Sequence, residues 1–594
     1  MAEQVDTRPR HRDERAAAQR AASGLALAVL GSAGAALSLA SATRVTLPVA
    51  SDYGLVATLP VTYWVGLAVV NVVFTVALLG GRRGHAPNPW LMALLTAALV
   101  VTLFGASAMV TEHPRGEVAW RHIGIADALQ STGTIDPAID AYFNWPGFFA
   151  LLALVSSATG LGALELALWA PVVNIGLWLV ALAAVVRTMT SDPRRLWLTL
   201  WLFCLGNWQD QDYLSPQALA FFLHLVVIAL LMGPLRAHAP RLTVRGLAAP
   251  LAWWTSRTPA EPDPARRVAA LLACLLLIVV ISGSHQLTPF MLIMAVVALT
   301  LSGRVWAPGL FVLALVIVGL WLAYPASSYL VGHPPLGDIG LSDAATANVA
   351  ERVGGSPGHV TVVRLRMALA ALLWLAAAAG ALADRRRGRL DIRPVLLMGA
   401  PFVLLPFQSY GGEMLIRVSL FTLPFAAYLA AGALPSGRPA TRAAALVLTA
   451  ALLTPLVVTG RYGNARFDMF TDDEVVAAQE LYRLAPPDAA IISGAHPTPW
   501  RHRKYLDHKY RTVRDLCSAN HEPNACGQAV YAYARHNPGG ALILLNRASK
   551  ASMVMQGVLT AGSFDEFEQW LGHVDTVHLV YENTDARIYR IDPP

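Results

Sequence analysis

Residues 112–149 read EHPRGEVAWRHIGIADALQSTGTIDPAIDAYFNWPGFF. They are the first long polar stretch after three apolar runs, and they lead through Asn144-Trp145-Pro146-Gly147 into a fourth. A polar stretch between runs of near-bilayer length reads as a loop outside the bilayer. This one carries five acids: Glu112, Glu117, Asp127, Asp136 and Asp140. Beyond it, apolar runs recur up to Gly460. The 594 residues are 55% hydrophobic and 14% charged with mean hydropathy +0.48, where a soluble domain is about 25% charged. The chain therefore reads as an α-helical polytopic membrane protein.

Apolar runs fall at 24–42, 56–79, 90–110, 144–160, 163–187, 196–208, 215–233, 268–283, 286–302, 306–323, 364–383, 394–409, 415–433 and 441–459. The net charge of +7 comes largely from arginines in short connectors: Arg82 and Arg83, then Arg236, Arg241, Arg245, Arg266 and Arg267, then Arg385–Arg387 and Arg389. This clustering follows the positive-inside rule and gives no basic stripe for nucleic acid. An inside N-terminus followed by every run crossing would leave the C-terminus inside. Counting back from Arg385–Arg389 leaves it outside. One run is therefore not a crossing, and 144–160 and 196–208 are the shortest candidates.

The expectation is about thirteen transmembrane helices, with a disordered cytoplasmic tail at 1–20, a membrane domain at 21–460 and an external loop at 111–143. Ala40-Ser41-Ala42 imitates a signal-peptidase site, but the long leader with its acids favours an uncleaved anchor.

From Arg461 the composition turns polar. Strands are expected at 488–494, 540–546, 576–582 and 586–592, and helices at 472–484, 527–536 and 564–572, giving a small extracytoplasmic α/β domain over 461–594. Cys204 and Cys274 lie in apolar runs and read as small buried hydrophobes. The spacing of Cys517 and Cys526 matches no CxxC motif, so they read as a local disulfide on an oxidising side of the membrane.

Four polar stretches are candidates for chemistry. In the quoted loop a carboxylate can act as a base or hold a metal. Residues 117–130 have helical spacing, with Val118, Ile125 and Leu129 roughly on one face, as in an interfacial helix whose charges only keep it out of the bilayer. Asn207–Gln217 places Asp210 and Asp212 at metal-ligand spacing beside Tyr213, or forms a polar turn. Ser282–Pro289 interrupts an apolar stretch, and its His285 and Gln286 serve a ligand or only the helix break. Gln408–Arg417 sets Glu413 four residues before Arg417, whose guanidinium suits a lipid-linked phosphate or an internal ion pair. The chain has no GxxxxGK[ST], HExxH or GxSxG motif.

From His122 to Phe149 the sequence resembles the first external loop of GT-C-fold glycosyltransferases. The matching features are Glu117, His122, the helix to Gln130, Gly133-Thr134-Ile135-Asp136-Pro137 and Tyr142-Phe143-Asn144-Trp145-Pro146. Asn144–Phe149, Gln211–Gln217, Ser284–Pro289 and Tyr410–Glu413 look like a family of uncharacterised bacterial multi-pass proteins grouped with those enzymes, over residues 100–510. The resemblance implies sugar transfer, with inversion, from a polyprenyl-phosphate donor to a lipid or glycan acceptor of the cell envelope. By position Glu117 takes the place of the catalytic acid, with Asp127 second, although a lone Glu replaces the usual Asp or acid pair. Arg417 and His285 would then hold the donor phosphate, and Asp210 and Asp212 the substrate or a divalent metal ion. His122, Tyr213, Gln286 and Glu413 would complete the substrate site. The alternative is a non-enzymatic lipid-glycan transporter, flippase or envelope-assembly scaffold.

Overall fold

The computed structural model describes residues 8–47, 51–80, 86–237, 263–332, 346, 348, 353–407, 410–434, 438–517 and 522–593. Arg241, Arg245, Gln408 and Ser409 lie outside these residues.

Helices of eight or more residues in the membrane part are α1 Arg8–Ala42, α2 Val61–Leu79, α3 Pro89–Phe104, α4 Glu117–Thr132, α5 Gly147–Thr159, α6 Ala163–Arg187, α7 Pro193–Gly206, α8 Pro216–Met232, α9 Pro264–Ser284, α10 Thr288–Leu301, α11 Leu310–Ala323, α12 Pro357–Arg386, α13 Ile392–Gly399, α14 Met414–Ala431 and α15 Pro439–Tyr462. Many open on a polar cap followed by proline, which needs no hydrogen-bond acceptor for its missing N–H. Asn88, Asp192, Ser215 and Ser356 each accept from a backbone N–H of the first turn. Helix α1 already starts at Arg8, inside the stretch expected to be a disordered tail.

Contacts at the helix ends define two faces. At one, Arg194 donates to Leu78 O, Arg393 to Thr188 O and Arg387 to Gly432 O, and Arg195 pairs with Asp384 at 2.7 Å. At the other, Tyr462 donates to Leu103 O, and Ser356 N to Met555 O of the C-terminal domain. Among the described residues, α1–α3 and α6–α15 run between these faces, α13 being continued by a 3-10 segment at Ala400–Leu404. Thirteen described helices thus run between the two faces, and seven of the described helices, counting α1 from Ala21 on, are long and apolar enough to cross a membrane.

The two short suspects resolve differently. Helix α5 stays at the domain face: it begins against Gly283 and Ser284, and Ser157 near its end bonds Gln130 of α4. Helix α7 crosses from Arg194 to the loop at Asn207, and every residue from Leu196 to Gly206 is buried. The lipid-facing side chains, among them Leu272, Leu276, Leu375 and Leu448, are exposed leucines.

The C-terminal domain is a five-stranded sheet of order β2-β1-β3-β5-β4, from β1 Ala490–Ser493, β2 Lys509–Thr512, β3 Ala541–Asn546, β4 Val577–Glu582 and β5 Ala586–Ile591. Strands β2, β1 and β3 are parallel, and β5 is antiparallel to both β3 and β4. Helix α16, Asp472–Leu484, covers Ile491, Leu542 and Leu544 on one face. Helices α17, Pro523–Arg535, and α19, Ala561–Gly572, cover Ile492, Ile543 and Leu545 on the other. Both faces of β3 are therefore buried, and it reads as an unbroken apolar run. Strand β2 and helix α18, Arg547–Met555, were not expected from the sequence. Cys517 and Cys526 form a disulfide, and Cys204 and Cys274 are buried free thiols.

A buried carboxylate ties α16 to the β3–α18 turn within the domain, and its Arg547 partner reaches the segment that leaves α15. Glu474, fully buried, accepts from Asn546 Nδ2, Ala548 N and Arg547, while Arg547 also donates to Arg466 O and Met469 O. A carboxylate out of water is tolerated when its oxygens are this fully bonded.

Candidate functional site

A cavity of ≈ 220 Å³ lies at the domain face, where α6, the 207–215 loop, the start of α14, the end of α15 and the quoted loop converge. Its position follows from the local sequence. Asn174 of α6 donates to Asp212 O and Tyr213 O, pinning the 207–215 loop, and Gln209 donates to Ser419 of α14. The backbone turns sharply there: Asp210 has φ 57°, and Tyr410, Gly411 and Gly412 are consecutively left-handed. A left-handed non-glycine residue is uncommon, and for a bulky tyrosine it marks a strained turn that its surroundings hold in place.

Three guanidinium groups and four carboxylates meet around this cavity. Arg461, fully buried at the end of α15, contacts Asp212 at 3.0 Å and Asp210 at 3.5 Å. Arg115 contacts Asp210 at 3.0 Å and Asp468 at 3.7 Å, and donates to Arg461 O. Arg417 contacts Glu413 at 2.8 Å through one terminal nitrogen, and its Nε and Nη1 are buried without a hydrogen-bond partner among the described residues. Burial pushes the Asp210 carboxyl up, but Arg115 and then Arg461 outweigh it and hold the group below the usual carboxylate range.

Tyr142 and Tyr213 wall the cavity, and Tyr213 stacks on His122 at 5.9 Å. His122 is buried among Tyr142, Phe148 and Phe149, with Nδ1 bonded to Leu214 O. Burial lowers its pKa to about 3, so it is neutral.

The expected residues therefore divide. Asp210, Tyr213, Glu413 and Arg417 line one cavity, with Asp212 behind Arg461 and His122 behind Tyr213. Glu117 does not line it. It is buried at the first turn of α4 against the C-terminal domain, 3.9 Å from Arg501. Asp127 is exposed and lines a separate cleft with His502 and Arg503. His285 caps α10, its Nδ1 accepting from Thr288 N, and Gln286 donates to the Tyr329 hydroxyl. Asp210 and Asp212 both face arginines, and no group of three or more metal-ligating side chains forms among the described residues. The donor set fits guanidinium and does not fit a divalent metal ion.

Sequence reasoning missed Arg115, Tyr142, Arg461 and Asp468. Arg461 carried a signal: an arginine closing an apolar span needs an anion, and Asp210 and Asp212 were the unpaired acids at the same boundary. Also missed was the seam to the C-terminal domain, where Asp140 accepts from Tyr142 N and from both Arg121 and Tyr505. Burial pushes the Asp140 carboxyl up, but Arg121 and these bonds hold it below its ordinary value. A larger cleft, ≈ 780 Å³, opens along this seam between Asp140 and Arg121 on one side and Arg501, Tyr505 and Tyr510 on the other. The Arg121 guanidinium lies 4.9 Å from the Tyr142 ring, so this pair separates the seam cleft from the arginine-lined cavity.

No protein-family model matches the sequence, and no curated protein matches it. Among solved structures, the chain is similar to the oligosaccharyltransferase of Archaeoglobus fulgidus in the apo form, with TM-score 0.48 and 12% identity over 80% of this chain and 72% of that one. It is also similar to ArnT from Cupriavidus metallidurans bound to undecaprenyl phosphate, with TM-score 0.44 and 12% identity over 84% of this chain and 97% of that one. Both are GT-C-fold membrane glycosyltransferases.

Proposed function

We propose that the protein transfers a sugar from a polyprenyl-phosphate-linked donor to a lipid or glycan acceptor of the cell envelope. The observation that carries this reading is Arg417. Its guanidinium is buried at the bilayer boundary, faces a polar cavity, and spends only one nitrogen on Glu413. Nitrogens of a guanidinium left without acceptors suit the oxygens of a phosphate. Unsatisfied buried donors are costly, so a bound anion that satisfies them gains affinity from a preformed site.

The other parts fit the same chemistry. Tyr142 and Tyr213 give the cavity polar tips on apolar rings, as a sugar requires. The arginine-rich face, with Arg194, Arg195, Arg387 and Arg393, lies opposite the C-terminal domain. By the positive-inside rule that face is cytoplasmic, and the cavity, the domain and the Cys517–Cys526 disulfide are extracytoplasmic.

The test uses the purified full-length protein with radiolabelled polyprenyl-phosphate sugars and a membrane lipid extract as acceptor. The expected result is label moved to a new product by the wild type and lost in Arg417→Ala. Binding of the lipid phosphate with no transfer to any acceptor would overturn the enzyme in favour of a transporter or scaffold.

A further inference from the structure

We infer that Asp468 is the general base of this site, taking the proton from the acceptor hydroxyl. The inference rests on the glycosyl-transfer reading above, and it moves the catalytic carboxylate from the loop after α3 to the turn that leaves the last span.

Four carboxylates stand at the cavity or directly behind it. Asp212 is committed to Arg461 at 3.0 Å, Asp210 to Arg115 at 3.0 Å and Glu413 to Arg417 at 2.8 Å. Asp468 is left with a single ion contact, 3.7 Å from Arg115, which is beyond hydrogen-bond range. Its carboxyl makes no side-chain hydrogen bond among the described residues, yet it lines the same cavity as Arg417. A carboxylate held by two or three donors is a poor base, because those donors stabilise its charge. One left nearly bare in a partly buried cavity keeps its basicity.

The backbone around Asp468 is held by hydrogen bonds on both sides. Its carbonyl accepts from Gly116 N at 2.8 Å, and its N–H donates to Asn464 O. Gly116 has φ 73° and immediately precedes α4, so the quoted loop and the end of the membrane domain are locked at this point. The charged groups that face Asp468 are Arg115, Asp210 and Arg366, with Arg417, Glu413 and Arg461 across the cavity. The two acids earlier placed in the catalytic role do not reach this space: Glu117 faces Arg501, and Asp127 lines another cleft.

The step balances without a metal or second reagent. The acceptor oxygen forms a bond to the anomeric carbon while its proton passes to the Asp468 carboxylate. The bond from that carbon to the phosphate oxygen breaks, its electron pair leaving on the polyprenyl phosphate held by Arg417.

Two measurements on the full-length protein in lipid nanodiscs decide the matter: affinity for undecaprenyl phosphate, and sugar transfer in the assay above. Removing a like charge across the cavity, Asp468→Asn should bind the lipid phosphate roughly three- to tenfold tighter, and its transfer rate should fall by about 10²-fold or more. Asp468→Glu should bind as wild type and recover part of the rate, which separates chemistry from misfolding. Arg417→Ala should bind at least about tenfold more weakly. If Asp468→Asn keeps wild-type transfer while Arg417→Ala loses binding, Asp468 is not the base and the donor site stands. If the wild type does not bind undecaprenyl phosphate, the donor site itself is wrong, and the base assignment falls with it.

Discussion

Arg461 and Arg417 sit at the ends of neighbouring spans, face one cavity, and are treated oppositely by the fold. Arg461 has a carboxylate on each side, Asp212 at 3.0 Å and Asp210 at 3.5 Å, and is buried. Arg417 has one carboxylate, Glu413, whose side chain is 41% exposed. Both arginines leave Nε and Nη1 without a hydrogen-bond partner among the described residues, so the difference between them is countercharge. The charge of Arg461 is offset by two buried or half-buried carboxylates, and that of Arg417 by one that reaches solvent, so an added anion has more to gain at Arg417. Unspent donors therefore say little by themselves about binding; the countercharge around a buried arginine says more.

The largest effect should come from breaking the sealed pair. Asp212→Ala leaves Arg461 under-compensated in a dry site and should destabilise the protein by about 3–5 kcal/mol, read as a fall in the thermal midpoint. A smaller loss would mean that Asp210 or water takes over the bond.

Next is the seam that holds the domain over the cavity. His502 is buried against Trp120 and Tyr482, and burial lowers its pKa to about 4. Its unfolded value is about 6.5, so the unfolded chain binds the extra proton. The stability this neutral histidine gives is therefore complete above pH 6.5 and is lost as pH falls toward 4, by about 2 kcal/mol at pH 5. Hydrogen exchange in residues 499–505 should accelerate over that window, and the acceleration should vanish in His502→Phe.

The open arginine should behave differently from both. Arg417→Ala should change the thermal midpoint little, because Glu413 reaches solvent, and should cost about 1.4 kcal/mol or more of lipid-phosphate affinity. Arg417→Lys should recover only part, since an ammonium keeps the charge but not the planar spread of guanidinium donors. The smallest effect belongs to Asp127→Asn, on the exposed side of α4, expected to shift stability by less than about 0.5 kcal/mol and to leave transfer unchanged. A large loss of transfer in that variant would return the chemistry to the quoted loop.

Much of this architecture was legible in the sequence. Arginine connectors gave the parity of the crossings, and parity alone required one apolar run to stay out of the count. What it did not give was which one. Helix α7 is shorter than a typical span and α5 is strongly apolar, yet α7 crosses because its buried face packs inside the bundle, while α5 lies beside α4. At the site, Asp210, Tyr213, Glu413 and Arg417 were legible because polar groups at a bilayer boundary need a reason. Glu117 misled because its place in a motif was weighed without knowing what would cover it. The covering group, Arg501, is almost four hundred residues further along the chain. Asp468 and Tyr505 were hidden for the same reason.

The distances along the chain have a consequence for how the protein is made. The quoted loop meets groups that are synthesised much later: His113 bonds Asp472, and Arg121 bonds Tyr505, across 359 and 384 residues. On the proposed topology, the final domain would also be exported after the last helix is inserted. Until that domain arrives, Glu117 lacks the Arg501 guanidinium and Arg121 lacks the Tyr505 hydroxyl. A ribosome stalled after Tyr462 would leave a fully inserted bundle whose arginines are in place but whose chamber lacks a lid and, if Asp468 is the base, its reactive group. On that reading the cavity is completed only when the last stretch of about 130 residues has been made, so the site would be assembled by the final act of synthesis.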